Sequence, residues 1–526
     1  MGEVAAHRRT PVRHMRAGQP HPDVVPATAA PRAQAAQPPQ PAAPAQPATP
    51  AQPSDAMLVR DRPVRDLLVR DLLVRDLEVV TVTDTSLVIT WFTGTSAETD
   101  SHNQPAPVDA DTEVLLGDPG QPRTLRTVLH DTTPTPYHYA EISGLEPGRT
   151  YAYVARSAGR PAEQTALQFP GLLGSFDRPG IVTMLTTPPG RYLGTIALAG
   201  DAHIGESVSG VIAGNWPPPC RQDPGLPPYP EVMLTGLLDD LGRPGEPADL
   251  LLLAGDLTAE ATAGQASRAR QLLDAWGRLG VDYLAVRGNH DRPHTGAAYA
   301  SGSPVPGAPG HHDCWGDVFG RRRQQLAAHE LAGLRIIGLD TTTLDAPNGT
   351  IDAGQLSELR GLLRADPHRP TLLFGHHPVT YESALTTGAG PGFNLDPASA
   401  AELESLYART PGVFFHHCGH THRNNRTAAD GRAVPPAPAD GRDRPGAEFL
   451  EVAAVKEYPG GYSLLRLYTG GYLVSFYKIR SEAARRWSQR TRQEYFGIFP
   501  HYALGTIADR NHTVAADLSG LARHLR

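Results

Sequence analysis

Apolar positions along the chain fall into two textures. Between residues 78 and 156 they form short β runs, at 78–83, 86–92, 112–117, 137–142 and 150–156, with Pro/Gly turns between them. Several short strands separated by turns predict a β-sandwich. From about residue 190 the pattern becomes α/β. Apolar runs recur at 195–199, 249–254, 282–286, 334–339, 371–374 and 413–415, and further β runs follow at 449–455, 462–468 and 472–479. Helical stretches fall between several of them, such as 266–279 and 353–364, which is the alternation a sheet flanked by helices requires.

The sandwich region carries one sharper feature. Leu145-Glu146-Pro147-Gly148-Arg149-Thr150-Tyr151 has the spacing of a tyrosine corner, in which a Tyr hydroxyl ties back onto the preceding turn. Trp91 is the expected inter-sheet core residue. Ahead of this region, residues 1–56 are dominated by Ala, Pro and Gln and cannot bury enough apolar surface to offset their ordering entropy, which predicts disorder. Residues 57–77 are a five-residue repeat, Val-Arg-Asp-Leu-Leu in its commonest form, with Val59, Val64, Val69 and Val74 in register. Five residues advance a helix by about 140°, so this period keeps neither a helical stripe nor a simple strand alternation. It reads as a low-complexity linker leading into a first strand. The expected organisation is then a disordered segment (1–56), the repeat linker (57–77), the sandwich (78–190), an α/β domain (191–480) and a C-terminal tail (481–526) of no evident role.

Bulk properties narrow the partners. The 526 residues exceed one ordinary domain, and a net charge of −7 argues against a dedicated nucleic-acid or anionic-membrane binder. No apolar run approaches the roughly 20 residues of a membrane span, and no secretory signal is visible. The three cysteines, Cys220, Cys314 and Cys418, lack metal-knuckle spacing. A cytoplasmic location is expected on these grounds, with an extracytoplasmic one left open by the sandwich.

Five apolar runs end in polar clusters. These are Gly200-Asp201-Ala202-His203, Gly255-Asp256, Gly288-Asn289-His290-Asp291, Gly375-His376-His377-Pro378 and Gly419-His420-Thr421-His422. Ligands of open α/β sheets collect beyond the carboxyl ends of strands. Singly, each cluster is ordinary turn chemistry; five of them pairing Gly with Asp, Asn or His are not. Two metal ions about 3.5–4 Å apart can clamp the attacking and leaving oxygens of a phosphoryl displacement. Such a pair needs carboxylates to offset its charge, neutral imidazoles to complete its shells, and glycines that let backbone approach closely. Asp201, His203, Asp256, Asn289, His376, His420 and His422 supply enough donors for two ions.

In that order the motifs Asp-x-His, Gly-Asp, Gly-Asn-His-Asp, His-His-Pro and Gly-His-x-His resemble the calcineurin-like metallophosphoesterase superfamily, over roughly residues 193–480. The resemblance implies an αββα sandwich with a dinuclear site at the strand ends. It implies that Asp201, His203 and His422 bind one ion, Asn289, His376 and His420 the other, and that Asp256 bridges them. It also implies His290 as the group that stabilises the phosphoryl oxygens or protonates the leaving group, with Asp291 orienting it, and a metal-bound hydroxide as nucleophile. His377 is then outside the metal shells.

The N-terminal region is similar to a fibronectin type III-like sandwich, a module that precedes the catalytic domain in purple acid phosphatases. Those enzymes, however, place a metal-bound Tyr soon after Gly-Asp, where this chain has Leu257-Thr258-Ala259-Glu260, and they lack the equivalent of His203. The metal site therefore resembles the class III cyclic-nucleotide phosphodiesterase branch.

The expected function is a metal-dependent phosphoric-ester hydrolase acting on a small phosphomonoester or phosphodiester. Two transition-metal ions (Fe, Mn or Zn) are the expected cofactors. No nucleic-acid partner is expected, and the oligomeric state is open. The alternative is a non-catalytic scaffold that binds a partner through the sandwich, but such a scaffold is expected to have lost ligands. Segments 214–230 and 295–320, the latter with His311, His312 and Trp315, are candidate substrate loops, their histidines being loop residues rather than ligands.

Overall fold

A computed structural model describes residues 71–99, 104–165, 180–210, 217–243, 248–292, 312–344, 346–428, 446–497 and 499–521. The first strands are β1 (Leu72–Val82), β2 (Ser86–Thr99), β3 (Pro105–Pro107), β4 (Ala110–Gly117), β5 (Arg126–Thr135), β6 (Tyr137–Ser143), β7 (Thr150–Ser157), β8 (Arg160–Pro161) and β9 (Ile181–Thr183). One sheet holds β1-β2-β3 with β6 beside β2, the other β5-β4-β7-β8 with β9 beside β7. Ile89 and Trp91 from the first sheet pack with Val114, Leu116, Tyr153 and Ala155 from the second in one core. Trp91 is buried, stacks on His138 and donates its indole N–H to Ser157 Oγ at 2.8 Å. The Tyr151 hydroxyl accepts the Glu146 amide at 3.1 Å, which closes the tyrosine corner.

Strand β1 starts at Leu72, inside the segment read as linker, so the last repeat unit is sandwich strand. Its odd period is absorbed by a bulge. Arg75 pairs with Phe92 and Glu78 with Thr90, which leaves one extra residue on β1, and Asp76 sits there at φ 59°. The rest of the repeat and the Ala/Pro-rich segment lie outside the described residues.

Two six-stranded sheets follow. The elements are β10 (Tyr192–Ala199), α1 (Tyr229–Leu241), β11 (Leu250–Leu253), α2 (Ala263–Trp276), β12 (Tyr283–Ala285), α3 (Cys314–Phe319), β13 (Ala327–Leu331), β14 (Leu334–Gly338), α4 (Ala353–Ala365), β15 (Thr371–Phe374), α5 (Tyr381–Thr386), α6 (Pro397–Ala408), β16 (Val413–Cys418), β17 (Asn425–Ala428), β18 (Glu448–Glu451), β19 (Gly461–Tyr468), β20 (Gly471–Lys478), α7 (Glu482–Thr491) and β21 (Asn511–Ala515). The sheet orders are β12-β11-β10-β19-β20-β21 and β13-β14-β15-β16-β18-β17. Successive residues on a strand face opposite ways. Ile336 and Leu372 accordingly enter the core shared with β10 and β11, whereas Ile337 and Leu373 meet Leu359 of α4 and Leu403 of α6. With both faces covered, these short strands read as continuous apolar runs. Strands β10, β11 and β12 are parallel, as are β14, β15, β16 and β18, so within each sheet their carboxyl ends gather along one edge.

Residues 481–521, set apart in the sequence as a tail, complete this domain. Strand β21 extends the first sheet beside β20, and Trp487 of α7 stacks on Tyr229 of α1 at 4.1 Å. The alternation was hard to see because α7 opens on a basic, strongly amphipathic stretch and β21 is short. Among the described residues no helix is long and apolar enough to cross a membrane.

The sandwich is joined to the α/β domain by a buried polar seam. Val80 and Val88, on the outer face of its first sheet, belong to the α/β core, and Thr81 Oγ1 donates to the Phe476 carbonyl at 2.6 Å. Glu78 meets Lys478, Arg492 Nε at 3.0 Å and the Tyr458 hydroxyl at 2.6 Å, and Asp76 takes Arg492 Nη1 at 3.0 Å. Burial alone would raise the Glu78 carboxyl, but Lys478 and Arg492 bring it down from 4.5 to about 2. A carboxylate held below its unfolded value adds stability that is present above 4.5 and is lost as pH falls towards about 2. Glu78→Gln leaves the buried Lys478 without its carboxylate and Arg492 with Asp76 alone, and should cost about 3–5 kcal/mol at neutral pH. Denaturant melts should also show a shallower loss of stability for this variant across that acid window.

Candidate metal centre

Each predicted cluster sits on the loop beyond a strand's carboxyl end. Asp201 and His203 follow β10, Asp256 follows β11, Asn289 follows β12, His376 follows β15, and His420 and His422 follow β16. Asp201, His203, Asp256, His420 and His422 all adopt positive φ, between 48° and 70°. Left-handed backbone is strained for residues bearing a Cβ and persists where the surrounding structure enforces it. Here enforcement comes from one strand end bonding to the next. The Asp201 amide donates to the Gly255 carbonyl at 3.0 Å, the His203 amide to the Asp256 carbonyl at 2.9 Å, and the His420 amide to Asp201 Oδ1 at 3.1 Å.

Two glycines permit the approach. A Cβ on Gly288 would lie 2.2 Å from both the Asp256 amide nitrogen and its Oδ1, and one on Gly419 would lie 2.3 Å from Asp201 Oδ2. Any side chain there would push a carboxylate out of the cluster.

All seven predicted ligands come together. Around His376 Nε2 lie Asn289 Oδ1 at 2.9 Å, His420 Nδ1 at 3.0 Å and Asp256 Oδ2 at 3.2 Å. On the other side, His422 Nε2 is 3.4 Å from Asp201 Oδ1 and His203 Nε2 is 3.5 Å from Asp256 Oδ2. Ligand atoms of Asp201, His203 and His422 fall within 4.8 Å of one another, as do those of Asp201, Asp256 and His376. Asp256 thus touches both groups.

The donor atoms are set by what holds the other ring nitrogen. His376 Nδ1 is 2.8 Å from the Ala254 carbonyl, which leaves Nε2 for the cluster, and His420 Nε2 is 2.8 Å from the Phe393 carbonyl, which leaves Nδ1. The Phe393 ring also stacks on His420, 4.0 Å between centroids. His377 has both nitrogens engaged elsewhere, Nδ1 with Thr341 Oγ1 at 2.7 Å and Nε2 with the Pro347 carbonyl at 3.0 Å, so it has no nitrogen to offer.

The electrostatics fit cations. Burial would lower the His376 imidazole, but Asp256 and Asp201 push it up to about 9. Burial likewise opposes charge on His422, while Glu457 and Asp201 push it up to about 10. Imidazolium charge here stands in for positive charge that the buried carboxylates demand. Both ring nitrogens of His203 are buried without a well-aligned hydrogen bond among the described residues, Nδ1 lying 3.0 Å from Glu206 Oε2 and Nε2 turned to the cluster. Oxygen and imidazole donors converging without a closed thiolate shell suit Fe, Mn or Zn.

His290 and Asp291 divide differently from expectation. His290 Nδ1 is held at 2.7 Å by the Ala259 carbonyl, and its amide donates to Asp256 Oδ1 at 2.8 Å. Asp291 does not orient it. The Asp291 carboxylate accepts the Leu257, Thr258 and Gly288 amides at 3.0, 2.9 and 3.1 Å and the Thr258 hydroxyl at 2.6 Å. Its carboxyl is pushed up to about 6, by burial and then by the Asp256 charge, against those hydrogen bonds. Asp291 is therefore a clamp on the loop that carries Asp256. Four residues of backbone curl (288–291) turn its side chain back under the loop instead of towards the imidazole.

Sequence reasoning missed three groups behind the centre: Glu206, Lys456 and Glu457. Glu206 stands three residues after His203, a spacing that could have been read as a local pair; nothing marked Lys456-Glu457. Of the candidate substrate loops, residues 211–216 and 293–311, including His311, lie outside the described residues. His312 is half-exposed and pairs with Asp317, whereas Trp315 is a core residue under Arg287, 4.6 Å from ring centroid to guanidinium carbon, rather than a loop contact for substrate.

Residues 194–424 match the calcineurin-like phosphoesterase family. The matched residues span the first four strand-end motifs and reach the fifth, at Gly419–His422. The chain is 31% identical over 150 residues to a probable cyclic nucleotide phosphodiesterase of Synechococcus sp., an alignment covering 28% of this chain and 50% of that protein. It thus spans half the length of that curated relative. Among solved structures, it resembles a purple acid phosphatase from yellow lupin (Lupinus luteus) at 14% identity, with 85% of this chain and 75% of that one covered and a TM-score of 0.40. It also resembles PhoD at 11% identity, covering 77% and 85% of the two chains, with a TM-score of 0.35.

Removing the clamp and removing the imidazole should give opposite signatures. Asp291→Ala orphans three buried amides and should cost roughly 2–4 kcal/mol in denaturant unfolding, with weakened metal binding. His290→Ala should change stability by less than about 1 kcal/mol and leave metal binding intact.

Proposed function

We propose that the chain is a metal-dependent phosphoric-ester hydrolase with a dinuclear centre. The observation that carries this reading is the convergence of Asp201, His203, Asp256, Asn289, His376, His420 and His422 from five strand ends, with Asp256 against both halves. Asp201, His203 and His422 would hold one ion and Asn289, His376 and His420 the other, with Asp256 shared. Ions so held would supply Lewis-acid polarisation of the phosphoryl oxygens and activation of water.

The chain's own groups do the rest. The Ala259 carbonyl accepts the Nδ1–H of His290, which would leave Nε2 as the nitrogen facing substrate. A proton carried there can be donated to the departing ester oxygen, as general acid catalysis requires. The bond from the His290 amide to Asp256 Oδ1 fixes that ring relative to the shared carboxylate. Phe393, packed flat on His420, limits motion of one ligand and screens it from water. The scaffold alternative is disfavoured because no ligand position of the motifs is lost. The relative's description as a probable cyclic nucleotide phosphodiesterase makes a phosphodiester the first substrate class to assay.

Purified chain should hydrolyse p-nitrophenyl phosphate or its bis ester when Mn²⁺ is supplied and stop when it is chelated. Activity indifferent to chelation would remove the reading. Asp256→Asn should abolish turnover and uncouple the two ions. His290→Ala should keep both ions and lose about 10²–10⁴-fold in kcat, measured alongside metal content.

A further inference from the structure

Behind the half of the centre formed by Asp201, His203 and His422 lies a buried chain of charge. The Glu206 carboxylate divides its oxygens: Oε2 is 3.0 Å from His203 Nδ1, while Oε1 takes Lys456 Nζ at 2.6 Å and the Tyr229 hydroxyl at 2.7 Å. Glu457 repeats the arrangement. Its Oε1 is 2.7 Å from His422 Nδ1, while Oε2 takes the Ser209 hydroxyl at 2.6 Å and Lys456 Nζ at 3.3 Å. One ammonium therefore joins two carboxylates, each of which holds the Nδ1 edge of a different imidazole. Both imidazoles turn Nε2 towards the same cluster.

Lys456 is 6% exposed, Glu457 is fully buried and Glu206 is partly buried, so solvent screens them little. Without the ammonium, two buried carboxylates would repel each other and lose a partner apiece. The lysine is itself fixed: the Trp487 indole N–H donates to its carbonyl at 2.7 Å, and its amide donates to the Asp201 carbonyl at 3.1 Å. The other half of the centre is built otherwise. There His376 and His420 lean on the backbone carbonyls of Ala254 and Phe393.

We propose that Lys456 is a positioning residue that sets His203 and His422 together, through Glu206 and Glu457, so that the ion they share depends on it while the second ion does not. The proposal rests on the dinuclear reading above. It assigns the two ions different outer supports, one a shared charged chain and the other neutral backbone. Loss of a carboxylate partner behind a ligand imidazole typically weakens a metal 10–100-fold, and here one substitution disturbs two imidazoles at once.

The test uses the full-length chain, stripped by a chelator and reloaded with Mn²⁺ in equilibrium dialysis, with metal counted per chain and the electron paramagnetic resonance spectrum recorded. The wild-type chain should hold two ions giving a spin-coupled spectrum. Lys456→Met should bind one ion as the wild type does and the other at least about 10-fold more weakly. At limiting metal it should then show the uncoupled six-line spectrum of a single Mn²⁺. Glu206→Gln keeps the Lys456–Glu457 pair, tests the same arm should Lys456→Met fail to fold, and is expected to lose the same ion. Either variant holding both ions with wild-type affinity, or losing both in parallel, would overturn the proposal. A wild-type chain that binds no Mn²⁺ would instead overturn the metal centre itself, and the proposal with it.

Discussion

The site depends on how closely two loops can pass. At Gly288 the backbone runs so near Asp256 that a single added carbon would overlap its amide and carboxylate. That approach lets the His290 amide reach Asp256 Oδ1 and places Asn289 Oδ1 beside His376 Nε2. The left-handed residues Asp201, His203, Asp256, His420 and His422 follow from the same crowding. Five strand ends must turn within a few ångströms of one point, and backbone amides tie neighbouring turns together, through carbonyls at Asp201 and His203 and through carboxylates at His290 and His420. The sheets supply the enforcing rigidity, because strands such as Leu250-Leu251-Leu252-Leu253 are buried on both faces and close-packed.

What could be read from the residues alone was whatever repeats a local rule. Apolar runs ending in glycine marked the strands, and the polar residues beyond them marked the ligands. The Tyr151 corner was legible because its partner lies only five residues away. Asp291 misled for a related reason: adjacency to His290 suggested a contact, but a tight curl turns a neighbouring side chain away and gives it to amides 33 and 34 residues earlier. Lys456 and Glu457 were invisible, since their partners Glu206 and His422 are 250 and 35 residues distant and no motif spans that gap. The start of β1 was hidden by a bulge, whose extra residue breaks the alternation on which a strand is recognised.

The two halves of the centre also differ in how they respond to their surroundings. Carbonyl supports such as Ala254 carry no charge and vary little with ionic conditions. The Glu206–Lys456–Glu457 chain is electrostatic, buried at Lys456 and Glu457 and partly open at Glu206, so its strength depends on how little water reaches it. Trp487 and Tyr229 stack on each other beside it, Trp487 donating to the Lys456 carbonyl and Tyr229 to Glu206, and limit the water that reaches it.

Lys456, Glu457 and Tyr458 are consecutive, and they face different ways. Glu457 reaches His422, while Tyr458 gives its hydroxyl to Glu78 on the sandwich. An accessory module joined by a flexible tether can be exchanged by recombination without cost to its neighbour. This one cannot be exchanged so freely. A replacement sandwich would have to present an acid at the position of Glu78 and accept Arg492 and Lys478 against it, or disturb a peptide whose preceding residue holds the His422 imidazole. The Glu457-Tyr458 dipeptide thus ties the sandwich seam to the strand-end cluster through adjacent side chains.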